Sequence, residues 1–137
     1  MANDNEKIVL DYLEAIKTGE HEAAYAAFAE DATWQTPPSL PWPGMFHGRR
    51  AIFDEYFAVD KGLFTTGMDS YDLDITLSFA SGDYVTVEMT HRSIGLNENK
   101  YETDHCLVFV VRDGLIQAVR EYIDSLYLQR EMIDPAN

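Results

Sequence analysis

The sequence predicts an α+β domain, with helices in the first half and an antiparallel sheet in the second. Three observations predict it. Apolar residues recur at helical spacing up to about residue 57. Four later stretches are rich in β-branched and aromatic residues, and short motifs with turn chemistry separate them. The chain has 137 residues, 46% hydrophobic and 25% charged, which is enough apolar material for one core and too much for disorder. One domain over residues 1–137 is expected.

Each element has its own local reason. Asn3 followed by Glu6 forms a capping-box start for the first helix. Val9, Tyr12, Leu13 and Ile16 then make one apolar stripe, and Gly19 ends it. A second short helix carries Ala24, Tyr25 and Phe28 on its inner side. Asp31 to Thr36 reads as a strand. Pro37, Pro38, Pro41 and Pro43 exclude regular structure from the next stretch, which also carries Leu40, Trp42, Met45 and Phe46. Gly48 opens a third helix with Ile52, Phe53, Tyr56 and Phe57 on one face, and Gly62 and Gly67 mark its exit. The strands run Tyr71–Ala80, Tyr84–Ile94, Tyr101–Val111 and Leu115–Leu128. Ser81-Gly82-Asp83, Asn97-Glu98-Asn99 and Asp113-Gly114 turn between them. The tail after Asp134 is expected to be loose.

Strand alternation gives an inward-facing set. It contains Val85, Val87, Met89 and His91 on one strand, and His105, Leu107, Phe109 and Val111 on the next. Gln117, Val119, Glu121 and Ile123 complete it on the last. The set is apolar at one end and polar at the other, where His91, His105 and Glu121 meet. A histidine beside a carboxylate in an apolar cavity can run acid–base chemistry; the alternative is a buried polar network that satisfies only itself. Trp34 either lines that cavity or packs the core, and the loop bearing Trp42, Met45 and Phe46 is either a lid or folded-back core. His21 and His47 stand in polar contexts and are expected in solvent.

Net charge is −14, from 10 basic and 24 acidic residues, which repels phosphate backbones and argues against nucleic-acid and membrane partners. No apolar run approaches the ~20 residues of a membrane span. The polar, acidic start lacks the pattern of a signal peptide, and Cys106 is alone, so no internal disulfide is possible; a cytoplasmic location is expected. No His-x-x-x-His or Cys-x-x-Cys spacing and no glycine-rich phosphate loop occurs, so neither metal nor cofactor is expected.

The stretch Tyr12-Leu-Glu-Ala-Ile-Lys-Thr-Gly-Glu-His-Glu-Ala-Ala-Tyr-Ala-Ala-Phe-Ala-Glu-Asp-Ala-Thr-Trp-Gln-Thr-Pro37 resembles, without a gap, the opening of the ketosteroid-isomerase-like proteins of the NTF2-like (SnoaL-like) superfamily. The resemblance covers nearly the whole chain. It implies an NTF2-like (cystatin-like) cone: three N-terminal helices wrapped by a curved antiparallel sheet around a pocket. It also implies a small-molecule ligand and a homodimer paired through the outer sheet face, at Cys106, Val108 and Val110 beside Tyr122 and Leu126. The isomerases' oxyanion-donating tyrosine matches Tyr12, their second donor falls on His105, and their proton-shuttling aspartate falls on Thr36. A hydroxyl is too weak a base for that task. The segment Ile116-Gln-Ala-Val-Arg-Glu-Tyr-Ile-Asp124 is similar to one in the limonene-epoxide hydrolases, whose catalytic carboxylate corresponds to Glu121. The arginine and aspartate those enzymes carry on an earlier strand meet Met89 and His91.

The residues implied for chemistry are His91 and Glu121 for proton transfer, with His105 and Tyr12 holding a substrate oxygen. Trp34, Thr36, Trp42, Phe46, Met89 and Phe109 are implied for substrate binding. The function expected is that of a cofactor-independent isomerase, cyclase, dehydratase or hydrolase acting on a small apolar molecule; the alternative is a non-catalytic ligand-binding or association module of the same fold.

Overall fold

Residues 4–134 are described by a computed structural model. The Asn3 cap and the tail after Asp134 lie outside the described residues.

Helix α1 (Asp4–Thr18) buries Val9, Tyr12, Leu13 and Ala15, with Ile16 half-buried beside them. It stops at Gly19, whose φ of +77° suits glycine, and a Cβ there would run into the Asp69 carbonyl. Helix α2 (His21–Ala26) is shorter than expected. Phe28 opens strand β1 (Phe28–Gln35) instead of closing the helix, and is fully buried there.

The proline-rich segment is not wholly irregular. Beyond Pro43, Met45-Phe46-His47 have free N–H groups and form strand β2 (Met45–His47), pairing Thr33 with His47 and Gln35 with Met45. Phe46 is thereby buried against Tyr56, with ring centroids 5.3 Å apart, while Met45 faces out. This part of the loop belongs to the sheet and does not form a free lid.

From Gly48 (φ +90°) a helical stretch, α3, runs through an α turn at Arg49–Ala51, a π turn at Ile52–Tyr56 and a 3-10 stretch at Phe57–Gly62. It turns Ile52, Phe53 and Phe57 into the core.

The meander follows as β3 (Asp72–Ser81), β4 (Tyr84–Ile94), β5 (Lys100–Arg112) and β6 (Leu115–Tyr122). Asp113 and Gly114 take φ of +56° and +78°, the twisted geometry that closes a tight hairpin between β5 and β6. Strand β6 ends at Tyr122, short of the expected Leu128. Asp124 accepts a hydrogen bond from the Tyr127 amide at 3.0 Å, capping a fourth helix, α4 (Ser125–Leu128), which continues as a π turn at Gln129–Ile133.

The six-stranded sheet has the order β2-β1-β6-β5-β4-β3. It is mixed, not purely antiparallel, because β1 pairs parallel to β6. A register shift between β5 and β6 places Val110 opposite Ala118 but Val111 opposite Ile116. Gln117 therefore leaves the inward set and donates its amide to the Arg112 carbonyl, while Ile116 is buried in its stead. Past the bulge Val119 and Glu121 face in as alternation predicts. The main core lies between α1, α3 and the sheet, and a smaller cluster of Leu40, Phe64, Tyr101, Leu128 and Met132 closes one end.

Candidate functional site

Between the two clusters lies a cavity of about 80 Å³. Helix α1 contributes Tyr12 to its wall, β1 Trp34, and the loop before β2 Trp42. Strands β4 and β5 supply Met89, His91 and His105, and β6 supplies Glu121. Seven of the sequence-predicted residues thus share one wall. Three do not. Thr36 is buried away from it and donates its hydroxyl to the Pro43 carbonyl at 2.9 Å, holding the proline-rich loop. Phe46 packs on Tyr56, and Phe109 stands in the core beneath Tyr12, with centroids 6.1 Å apart.

Glu121 is fixed by two donors on one oxygen: the Tyr56 hydroxyl at 2.6 Å and the Trp34 indole N–H at 3.1 Å both reach Oε1. Trp34 and Tyr56 stack at 4.7 Å, so packing holds both donors in place. Burial pushes the Glu121 carboxyl above the usual carboxylate range, and the two hydrogen bonds pull against it.

The histidine nearest Glu121 is His105, not His91. Its Nδ1 lies 4.0 Å from Glu121 Oε2, and its Nε2 meets the Tyr101 hydroxyl at 3.1 Å. Burial, with the neighbouring His91, pushes His105 down to about 3. Burial pushes His91 down to about 4, with Asp72 opposing. Both rings are therefore neutral near pH 7, and the 4.0 Å contact to Glu121 is a polar one and not an ion pair. His91 is boxed by rings, with the centroids of Phe64, Tyr71, Tyr101 and His105 all between 5.3 and 5.9 Å from its own.

The structure adds polar residues that sequence reasoning missed. Asp60, at the end of α3, lines the cavity and accepts a hydrogen bond from Tyr71 at 2.6 Å. Burial raises its carboxyl to about 7, the Tyr71 bond opposing and Glu121 adding to the rise. Tyr101 shares strand parity with His105, so alternation carried that signal. Tyr56 lies on the helix face that periodicity assigns to it, but helical spacing gives no sign of its bond to Glu121. Tyr71 has the parity of the buried Leu73 in the strand expected over Tyr71–Ala80, so alternation carried that signal too; Asp60 stands in the irregular last turns of α3, where no periodic signal places it.

Two donors in the wall have no partner among the described residues: the Tyr12 hydroxyl and the Trp42 indole N–H. Tyr12 is 1% exposed, and burial is the first cause of its raised pKa, ahead of the charges of Glu121 and Asp60. Leaving a buried hydroxyl unpaired costs on the order of 1–3 kcal/mol. The arrangement offers a hydroxyl ready to bond a ligand oxygen, with two carboxyls of raised pKa and two neutral imidazoles around it. Among the described residues no group of three His, Cys, Asp or Glu is arranged to hold a metal ion, and no helix is long and apolar enough to cross a membrane.

A family model described as SnoaL-like domain matches residues 9–119. Among solved structures the chain is similar to an NTF2-like protein of unknown function from Burkholderia pseudomallei, at 19% identity over 96% of this chain and 98% of that one, with a TM-score of 0.83. It is similar to TerC co-crystallized with polyporic acid, at 17% identity over 94% and 98%, TM-score 0.82. A third is an LEH-like epoxide hydrolase of M. tuberculosis, at 20% identity over 93% and 87%, TM-score 0.72. These likenesses show the NTF2-like fold. No curated protein matches the sequence.

Proposed function

The chain belongs to the SnoaL-like domain family, and from that premise we propose that its cavity is the active site of a cofactor-independent acid–base enzyme. The reaction class is isomerisation, cyclisation, dehydration or hydrolysis of a small, largely apolar molecule. The observation that supports it is the unpartnered Tyr12 hydroxyl in one apolar cavity with Glu121, Asp60, His91 and His105. In this reading Tyr12 donates to a substrate oxygen, His105 helps hold that oxygen, and Glu121 with His91 moves the proton. Trp34, Trp42 and Met89 shape the apolar wall. One of the similar structures is an epoxide hydrolase by name, which falls in the same reaction class.

A second reading, a ligand-binding module without chemistry, is favoured by a different observation. The polar groups largely satisfy one another, Glu121 with Tyr56 and Trp34, Asp60 with Tyr71, His105 with Tyr101. Incubation with small enones and epoxides in deuterated water, without cofactor, separates the two. Deuterium incorporation or diol formation above blank, lost in Tyr12→Phe and Glu121→Gln, supports the enzyme. Ligand binding with no turnover across the panel supports the module.

The reading includes a homodimer formed through the outer sheet face, where Cys106, Val108 and Val110 are only half-buried and Tyr122 and Leu126 are exposed. It also includes a cytoplasmic location, supported by the lone Cys106 thiol.

A further inference from the structure

The walls of the cavity pose an electrostatic question that a neutral ligand does not answer. Two carboxyls, Asp60 and Glu121, line it, and among the described residues no lysine or arginine does. Each carboxyl has one oxygen engaged by a tyrosine hydroxyl, Tyr71 on Asp60 Oδ2 and Tyr56 on Glu121 Oε1. The second oxygen of each, Asp60 Oδ1 and Glu121 Oε2, accepts no hydrogen bond among the described residues. The ring nearest Glu121 Oε2 is His105, 4.0 Å away. Burial keeps both it and His91 neutral near pH 7. Carboxyls drawn out of water, Glu121 almost wholly and Asp60 in part, are costly without a positive partner, and that cost favours whatever brings the missing charge.

The rest of the wall suits that charge. Tyr12, Trp34, Tyr71 and Tyr101 present aromatic rings, whose faces attract cations. The hydroxyl of Tyr12, a residue 1% exposed, is unpartnered and has lone pairs that can accept an ammonium N–H. The chain's net charge of −14 raises the local concentration of cations at any cleft.

We propose that the ligand of this cavity is a small organic cation, a protonated amine on an apolar body, with its charge directed at Asp60 Oδ1 and Glu121 Oε2. The proposal rests on the reading of the cavity as a ligand site and narrows its substrate class. Cation and carboxyls neutralise each other on binding, and the aromatic wall takes the apolar body. No bond need form or break for this recognition.

One scaffold in three charge states tests it. Benzylammonium, benzyl alcohol and benzoate are titrated into the wild-type protein at about pH 8, where Asp60 is ionised. Trp34 and Trp42 fluorescence and calorimetry report binding. Benzylammonium is expected to bind about tenfold or more tightly than benzyl alcohol, with benzoate weakest. The isosteric variants Asp60→Asn and Glu121→Gln should each reduce that preference severalfold. Benzyl alcohol or benzoate binding as well as benzylammonium would overturn the cation and leave the cavity a ligand site. Benzylammonium binding equally well in both variants would assign it to the acidic surface and also overturn the proposal. If none of the three binds, both the proposal and the cavity reading fall.

Discussion

At the scale of single residues, the most telling side chain is the one whose hydroxyl does nothing for the fold. Tyr12 is buried, its ring packs edge-on against Phe28 at 5.0 Å, and its hydroxyl is unpartnered. Tyr12→Phe keeps the ring and removes the unpaired group. The melting temperature should hold or rise by a few degrees, since ~1 kcal/mol moves it by roughly 2–8 °C. If Tyr12 serves a substrate oxygen, turnover should fall by about 10²–10³-fold. Lower stability with unchanged turnover would make it a packing residue. Asp60 supplies a second prediction through its proton. Its carboxyl titrates at about 7 when folded, against 3.8 for a free aspartate side chain, so between those values the folded state holds a proton that the unfolded state has lost. The stability this contributes is fully present below pH 3.8 and is lost as pH rises through about 7. Each tenfold difference in proton affinity between the two states is worth ~1.4 kcal/mol. Asp60→Asn removes the titration. Its melting temperature should match wild type at about pH 4 and exceed it at about pH 8; parallel curves would mean that Asp60 ionises normally.

At the scale of elements, two short motifs carry more than their length suggests. The Asp113-Gly114 turn starts the pairing of β5 with β6 at Arg112 and Leu115, and the bulge just beyond it, between Val110 and Val111, turns Glu121 inward. Nothing lies within 4 Å of a Cβ built on Gly114, so Gly114→Val tests only the left-handed backbone. It should cost more than ~1 kcal/mol. A melting curve unchanged from wild type would show the turn relaxing to another form at no cost. Asp124 is the second motif. Its side chain caps α4, which brings Leu128 to the cavity wall and Met132 to the smaller cluster. Asp124→Ala should destabilise by about 1 kcal/mol, read from denaturant unfolding, and an unchanged midpoint would mean that packing alone holds the helix.

At the scale of the whole molecule, the outer face of the sheet is unlike the rest of an acidic surface. Leu77, Phe79, Tyr84 and Tyr122 stand exposed on it beside the half-buried Cys106, Val108 and Val110. Apolar surface of this kind is covered in most soluble proteins. Light scattering at tens of micromolar should therefore give twice 15.6 kDa, and a 15.6 kDa particle would exclude the dimer. Val108→Asp should shift the particle toward monomer without unfolding it, because the side chain faces away from the core.

The sequence by itself determined the class of the fold, because periodicity is a local property. The Tyr84–Ile94 strand has the bounds that alternation predicts, and Val85, Val87, Met89 and His91 are all buried. The same logic carried Glu121 inward, since its parity with Val119 survives the bulge. Local patterns could not reveal the parallel pairing of β1 with β6, the burial of Phe46 through β2, or the exclusion of Gln117, each of which depends on a partner strand far away in the chain. They also could not reveal Asp60. A carboxyl at the irregular end of a helix has no period to place it. Its carboxyl is pushed up toward neutrality only because tertiary packing takes it out of water within the field of Glu121, with the Tyr71 hydrogen bond opposing.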